Sequence, residues 1–117
     1  MRKNNKKIKT QLINNFTLND YLNWYKNKYA KCNDIHENGM SIFYMPFEFQ
    51  IGIIIKFAEK VGYRISIKYN QKSNWTYEVV HDDFGSTNTT EIKSYKKACK
   101  LAILEFNKRY NNTWESL

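Results

Sequence analysis

The segment from Pro46 to Tyr110 changes its hydrophobic period twice, and this constrains the fold more than any other feature. A stretch that is apolar around most of a helical circumference precedes two stretches in which apolar and polar residues alternate; a helical period then returns. Two alternating stretches joined by a short polar turn indicate an antiparallel hairpin. We therefore predict an α+β fold, a single domain over residues 13–117 with helices packed on a small antiparallel sheet in the order α-α-β-β-(β)-α.

The helix that opens this segment is expected to have Pro46 at its first position, where the missing N–H costs nothing, and Gly62 just beyond its end. A helix that is apolar on most sides is expected to be buried on more than one side. The apolar residues are Phe47, Phe49, Ile51, Ile54, Ile55, Phe57, Ala58 and Val61. Gly52 costs about 1 kcal/mol relative to Ala in a helix, so we expect close packing against a neighbour there.

The predicted hairpin consists of strands Tyr63–Tyr69 and Trp75–His81, joined by a turn over residues 70–74. In the second strand, Trp75, Tyr77 and Val79 alternate with polar residues and are expected to face the core.

The rest of the sheet is less regular. Glu78 is expected to pair across the ladder with Arg64 or Lys68. Residues 82–90 are predicted to form a polar loop, and a short third strand over residues 91–93 is left open.

The last helix is predicted to run from Tyr95 to Arg109 with Ser94 as its N-cap. At 100° per residue, one side is apolar and faces the sheet: Tyr95, Ala98, Cys99, Ala102, Phe106 and Tyr110. The opposite side, here called the lysine side, contains Lys96, Lys97, Lys100, Asn107 and Lys108. Leu104 falls within the lysine side, which indicates contact with another element or another chain.

The N-terminal part has weaker signals. Residues 1–12 are predicted to be a flexible basic arm because they contain few strongly apolar side chains. Its charged residues are Arg2, Lys3, Lys6, Lys7 and Lys9. A first helix is predicted from Leu18 to Lys31, with Thr17 as N-cap and Asp20 in the position of a capping box. A brief strand is predicted over residues 42–45.

Composition narrows the class of protein. The apolar runs are far too short to span a bilayer, and the charged N-terminus lacks the apolar segment of a secretory signal, so we expect a cytoplasmic protein that does not enter the membrane. Cys32 and Cys99 have no metal-ligand spacing and are expected to be reduced thiols. We expect no metal and no cofactor.

The net charge of +8 favours acidic partners such as nucleic acid, because a positive surface attracts phosphate backbones. The competing explanation is the amino-acid usage of an AT-rich genome, which also enriches Lys, Asn, Ile and Tyr. The basic residues include only three Arg, namely Arg2, Arg64 and Arg109. Because Arg is favoured for bidentate contacts to bases, its scarcity indicates non-specific contact with phosphates.

Three motifs carry a family resemblance: PFEFQIGIIIKFAEKVGY, WTYEVV and SYKKACKLAILEFNKRY. They resemble small uncharacterised proteins encoded by bacteriophages and mobile elements of gut bacteria, which combine an F-x-Q helix, a W-x-Y strand and a [ST]-Y-x-x-A helix. This chain has Lys96 and Lys97 where acidic residues commonly follow the Tyr. The resemblance covers about residues 46–110 and implies a phage or mobile-element origin, with no established activity to assign to named residues.

The order of a helix, paired strands and a final helix is also similar to that of a double-stranded-RNA-binding domain, whose last helix sets lysines against phosphates. The lysines at residues 96–100 read KKACK where that family has KKxAK. Such a domain has three long strands, whereas the sequence of this chain predicts two.

Two functions follow from these patterns. In the first, the protein is a non-catalytic binding protein whose lysine side and N-terminal arm contact a DNA or RNA backbone through Lys96, Lys97, Lys100, Lys108 and the five arm cations. In the second, it is a protein-interaction or structural accessory protein, such as a host-factor inhibitor or an assembly component, that binds through Trp24, Leu104 and Trp114. The alternative explanation for the lysine side is an ordinary solvated helix face with no binding role.

Other candidate sites are weaker. The aromatic residues Trp24, Tyr25, Trp75, Tyr77 and Trp114 could stack on unpaired bases, but core packing is expected for Trp75 and Tyr77. His81, Asp82 and Asp83, with His36 and Glu37, form the one group suited to metal or acid–base chemistry. Adjacent strand residues point in opposite directions, so this group is expected to be a solvated loop and the protein not an enzyme.

Overall fold

A computed structural model of the chain describes residues 10–29, 40–70, 72 and 74–115. Within these residues it contains three α-helices, one 3-10 helix and three strands. The helices are α1 (Asn15–Lys28), α2 (Phe47–Lys60) and α3 (Tyr95–Glu115), and the 3-10 helix is Met40–Tyr44. The strands are β1 (Tyr63–Tyr69), β2 (Trp75–His81) and β3 (Gly85–Ile92). The predicted α+β class is confirmed.

The sheet is antiparallel, with β2 between β1 and β3. The predicted hairpin is confirmed: Ile65 lies opposite Val79 and Ile67 opposite Tyr77. The predicted polar loop over residues 82–90 is wrong beyond residue 84, because β3 begins at Gly85. Strand β3 is an edge strand that bonds only to β2, and most of its residues are polar. It therefore lacks the alternation of apolar and polar residues from which a strand is predicted.

Glu78 does not form the predicted pair with Arg64 or Lys68, because the register places it opposite Ser66. Arg64 instead binds Asp82, with 3.0 Å between Nη1 and Oδ1.

Helix α2 lies where the sequence predicts it, except that Pro46 is its N-cap and not its first residue. Gly62 follows the helix with a φ of +97°. The prediction for Gly52 is wrong: the residue is exposed, and a Cβ built on it would meet nothing within 4 Å.

The brief strand predicted over residues 42–45 is also wrong. Ile42 and Phe43 lie in the 3-10 helix and are buried, since their apolar side chains enter the core from a helical turn. The Gln50 side chain ties this turn to α2 by donating a hydrogen bond of 2.9 Å from Nε2 to Met45 O.

Helix α3 begins as predicted, because Ser94 Oγ accepts a hydrogen bond of 3.1 Å from the Lys97 N–H. It continues to Glu115 instead of ending at Arg109. The extension has a tertiary cause, since Tyr110 and Asn111 both bond to α1. On the predicted apolar side, Ala98, Cys99, Ala102, Phe106 and Tyr110 are buried. The prediction that Tyr95 belongs to this buried side is wrong, because 46% of its surface is exposed.

Helix α1 begins at Asn15, three residues before the predicted start, and its N-cap is Asn14. Thr17 therefore lies inside the helix and is not its cap. It is fully buried, and its Oγ1 is 2.9 Å from Asn111 Oδ1. Asp20 does not form a capping box but accepts a hydrogen bond of 2.6 Å from the Tyr110 hydroxyl. The helix ends at Lys28 with Tyr29 as its C-cap, before the predicted end at Lys31. Residues 30 and 31 lie outside the described residues.

The predicted boundary of the basic arm at residue 12 is too late in the chain. The Thr10 N–H donates a hydrogen bond of 2.8 Å to Phe43 O, and Leu12 packs against the core. Residues 1–9, with all five arm cations, lie outside the described residues.

The helices form two layers over one face of the sheet. Phe57 of α2 contacts Phe106 and Tyr110 of α3 and Tyr21 of α1, with ring centroids 5.5–6.0 Å apart. At the other end of α2, its first residue, Phe47, lies under the side chain of Lys96 at the start of α3. Helices α2 and α3 therefore run side by side in the same direction between the sheet and α1, so α3 begins at the end of the molecule where α2 begins.

Candidate nucleic-acid interface

The start of α3 presents most of the predicted lysines to solvent. Lys96, Lys97, Lys100 and Lys108 are all exposed, as the lysine side predicts. Lys96 Nζ lies 5.2 Å from the centre of the Phe47 ring, so the ammonium group is attracted to the ring face. The helix dipole places a partial positive charge at the N-terminus of α3, close to Lys96, Lys97 and Lys100.

Lys96, Lys97 and Lys100 line a groove of about 560 Å³ with an apolar floor. The other lining residues are Leu12, Ser94, Leu101 and Leu104. Leu104 is 44% exposed, in agreement with its predicted place on the lysine side. We call this surface the lysine groove.

The charge of the lysine groove is not neutralised by carboxylates of the described residues. Across those residues the one ion pair is Arg64–Asp82, which lies on the sheet. Since an ammonium group without a carboxylate partner keeps its full charge for a ligand, the three lysines form a local positive surface.

The first described residues of the chain lie beside this surface. Leu12, three residues after Lys9 in the sequence, lines the lysine groove. Sequence reasoning did not bring Leu12 and the last helix together, because the two are separated by most of the chain.

Asn107 does not belong to the solvent-facing lysine side, which corrects the prediction. It is only 9% exposed, and its Oδ1 accepts a hydrogen bond of 2.8 Å from the Asn14 N–H. The segment before α1 therefore covers this part of α3. Lys108 lies about 12 Å along the helix from Lys100 and does not line the groove.

The two tryptophans predicted to contact a partner differ in their exposure to solvent. Trp114 is 44% exposed, and its ring lies 6.3 Å from the exposed ring of Phe16. Trp24, predicted as an exposed contact, is half-buried and packs on Phe57 with ring centroids 5.6 Å apart. The local pattern gave it no secure core position because Phe57, which covers it, comes from another helix.

Trp24 also borders a second basic cleft, of about 390 Å³, at the far end of the helical layer. The cleft is lined by Lys28, Lys56, Glu59 and Lys60 besides Trp24. These lysines lie towards the C-terminal ends of α1 and α2, where cations oppose the negative end of the helix dipole. Helix stabilisation is sufficient to explain them.

Arg109, which the sequence did not single out, has a structural role. Its guanidinium donates three hydrogen bonds of 2.8 Å to backbone carbonyl oxygens of Val79, Phe84 and Gly85. It also lies 5.4 Å from the centre of the Tyr63 ring. The residue therefore fastens the β2–β3 turn to α3, and no sequence signal marks it because its partners are main-chain atoms.

The residues around His81 make structural contacts. His81 packs between Tyr63 and Phe84, and its Nδ1 accepts a hydrogen bond of 3.1 Å from the Asp83 N–H. Asp82 is held by Arg64. Among the described residues no group of three His, Cys, Asp or Glu side chains could hold a metal ion. His36 and Glu37 lie outside that part of the chain.

The described helices include none with the length and hydrophobicity that crossing a membrane requires. Comparison of the chain with protein-family models, with curated proteins and with solved structures finds no match.

Proposed function

We propose that this chain is a non-catalytic binding protein of a bacteriophage or mobile element that contacts the backbone of nucleic acid. The contact surface is the lysine groove together with the basic N-terminal arm and Lys108. Lysines without carboxylate partners attract phosphates and release the counterions condensed on the nucleic acid, which provides affinity with little sequence preference.

The observation that carries this proposal is the position of Leu12 in the groove formed by Lys96, Lys97 and Lys100. Five cations lie within the eleven residues before Leu12. The segment that follows these cations therefore reaches the groove, which supports a surface shared by two basic segments that are far apart in sequence. A composition bias alone predicts lysines spread over the whole surface and gives no reason for the two segments to adjoin.

The order of α2, three strands and α3 supplies the third long strand that the sequence did not predict. It extends the similarity in element order to a double-stranded-RNA-binding domain. Since a fold hosts many functions, this similarity adds little weight, and the proposal depends on the charge arrangement.

The test is fluorescence anisotropy with labelled duplex DNA, single-stranded DNA and RNA at salt concentrations from about 50 to 200 mM. The proposal predicts a steep fall of affinity with salt. Replacing Lys96, Lys97 and Lys100 by Glu should abolish binding while urea unfolding remains cooperative.

The matched control replaces Lys28, Lys56 and Lys60 by Glu, which changes the net charge equally at the second basic cleft. Binding that survives this change but not the first assigns the contact to the lysine groove. Equal loss in both variants would show attraction to total charge alone and would contradict the proposal, as would a lack of binding at the lowest salt.

A second candidate function, a protein-interaction or accessory role, is favoured by two exposed apolar features. Leu104 lies on the floor of the lysine groove, and Trp114 pairs with Phe16, which is 42% exposed. Under this function, Leu104→Asp disrupts a complex with a host or phage protein. The wild-type protein would then show no nucleic-acid binding for the three Lys→Glu changes to abolish.

A further inference from the structure

Three aromatic rings form a row beside the start of α3. The Trp75 ring lies between Tyr69 and Tyr95, with ring centroids 5.0 Å from the first and 4.8 Å from the second. Both contacts are edge-on, at interplanar angles of 62°. The sequence predicted a core position for Trp75 and an apolar-side position for Tyr95. We call these three residues the aromatic row.

The outer members of the row are open to solvent. Tyr69 is 59% exposed and Tyr95 is 46% exposed, whereas Trp75 is half-buried and packs on the core. Trp75 thus anchors two aromatic side chains whose exposed surfaces gain little from folding. Core packing accounts for Trp75 but leaves the exposure of its two neighbours unexplained.

The surroundings of the row are mostly cationic. Lys72 lies in the turn between Tyr69 and Trp75, and exposed Lys93, Lys96 and Lys97 flank Tyr95. The nearby acidic groups are Glu91 at the end of β3 and Glu48, whose charge reaches Tyr95 from α2.

The Tyr95 side chain is held in place by the edge-on contact of its ring with Trp75. The ring is therefore oriented before a ligand arrives, which lowers the entropy lost on binding.

We propose that the aromatic row is a stacking platform for the unpaired bases of single-stranded nucleic acid, with phosphates bound by the adjoining lysines of the groove. Aromatic rings beside a basic groove are the combination that binds single strands without sequence preference, because every base has a π-face. A duplex keeps its bases stacked on each other and gains nothing from the row. This inference rests on the proposed function and names its substrate class.

The test compares a labelled oligothymidylate and oligouridylate with a duplex of equal length by anisotropy at about 100 mM salt. The Tyr69→Leu/Tyr95→Leu double variant keeps apolar bulk but removes the rings. It should bind single strands on the order of tenfold more weakly and bind duplex unchanged. The salt slope should stay the same because no cation is removed.

Two further variants serve as controls. Tyr69→Phe/Tyr95→Phe keeps the rings and should retain single-strand affinity. Phe84→Leu removes a ring that is 55% exposed at the other end of the sheet and should have no effect. In a Trp24→Phe/Trp114→Phe background, the fluorescence of Trp75 should be quenched by single strands.

The outcomes separate this inference from the proposed function. If the Leu variant binds single strands normally while the Lys96, Lys97 and Lys100 variant does not, the aromatic row is not a platform and the backbone function remains. Equal weakening for single strands and duplex also overturns base stacking. If no nucleic acid binds, both proposals fail.

Discussion

Asn14 and Asn107 bond to each other in both directions although 93 positions separate them. The Asn14 N–H donates to Asn107 Oδ1 at 2.8 Å, and Asn107 Nδ2 donates to Asn14 Oδ1 at 3.1 Å. Asn111 Nδ2 bonds to the same Asn14 oxygen at 2.8 Å. These bonds fix the segment before α1 on α3 and so hold Leu12 in the lysine groove.

Replacing Asn107 by Ala should therefore destabilise the domain. The change leaves the Asn14 N–H without its partner at a partly buried site, and such a loss costs about 1–3 kcal/mol. The free energy of unfolding in urea measures the effect. In nucleic-acid titrations the same variant should bind more weakly, since its Leu12 segment is less firmly held in the groove.

Asn23→Ala is the matched control for this experiment, because Asn23 is an exposed asparagine of α1. It should leave stability unchanged or slightly higher, as Ala is the better helix former. If Asn107→Ala were as stable as this control, the asparagine bonds would not hold the N-terminal segment.

Two buried tyrosines should respond oppositely to loss of the hydroxyl. Tyr110→Phe removes the donor to Asp20 and should cost about 1 kcal/mol. Tyr21→Phe should be neutral or stabilising, because the Tyr21 hydroxyl has no hydrogen-bond partner within the described residues. Urea unfolding of both variants at neutral pH checks this difference, and a costly Tyr21→Phe would contradict it.

The Tyr110 effect should disappear at high pH. Burial, and next the hydrogen bond to Asp20, raise the pKa of Tyr110 from 10.0 to about 12. The folded state holds this proton more tightly than the unfolded state, so the stabilisation is complete below about pH 10 and is lost as the pH rises to about 12. The stability difference between wild type and Tyr110→Phe should shrink over that range, whereas a constant difference would exclude the raised pKa.

Substitution of two glycines by alanine should have opposite effects. Gly62 has a φ of +97°, and a Cβ there would lie 2.8 Å from His81 Nε2, so Gly62→Ala should destabilise by more than about 1 kcal/mol. Gly52 lies in a helix with open space around it, so Gly52→Ala should stabilise by up to about 1 kcal/mol. Thermal and urea unfolding of the two variants provide the comparison, with each serving as the control for the other.

Arg109→Met should destabilise the domain by about 2–3 kcal/mol. The variant keeps an apolar stem but removes the charged donors to the three carbonyl oxygens of β2 and the following turn. Arg64→Met is the control, because its pair with Asp82 is exposed on both sides and contributes at most about 1 kcal/mol. Equal effects of the two changes in urea unfolding would show that Arg109 does not fasten the turn.

Local patterns predicted the elements that carry strong periodicity. Helix α2, the hairpin of β1 and β2 and the Ser94 cap follow from residues that are neighbours in the chain. The same patterns failed for β3, because an edge strand of Ser, Thr and Asn lacks apolar alternation. They also failed for the start of α1, where Thr17 has the residue type of a cap but is buried against Asn107 and Asn111.

Composition and periods of 2 and 3.6 residues were enough to predict the α+β class, the helical face on which Lys96, Lys97 and Lys100 lie, and the net positive charge. The contacts between distant residues became visible only in the folded chain. The fold placed Leu12 beside the lysines, buried Asn107 and left Tyr69 and Tyr95 exposed around Trp75. Contacts of this kind depend on how separate elements pack, which no local pattern encodes.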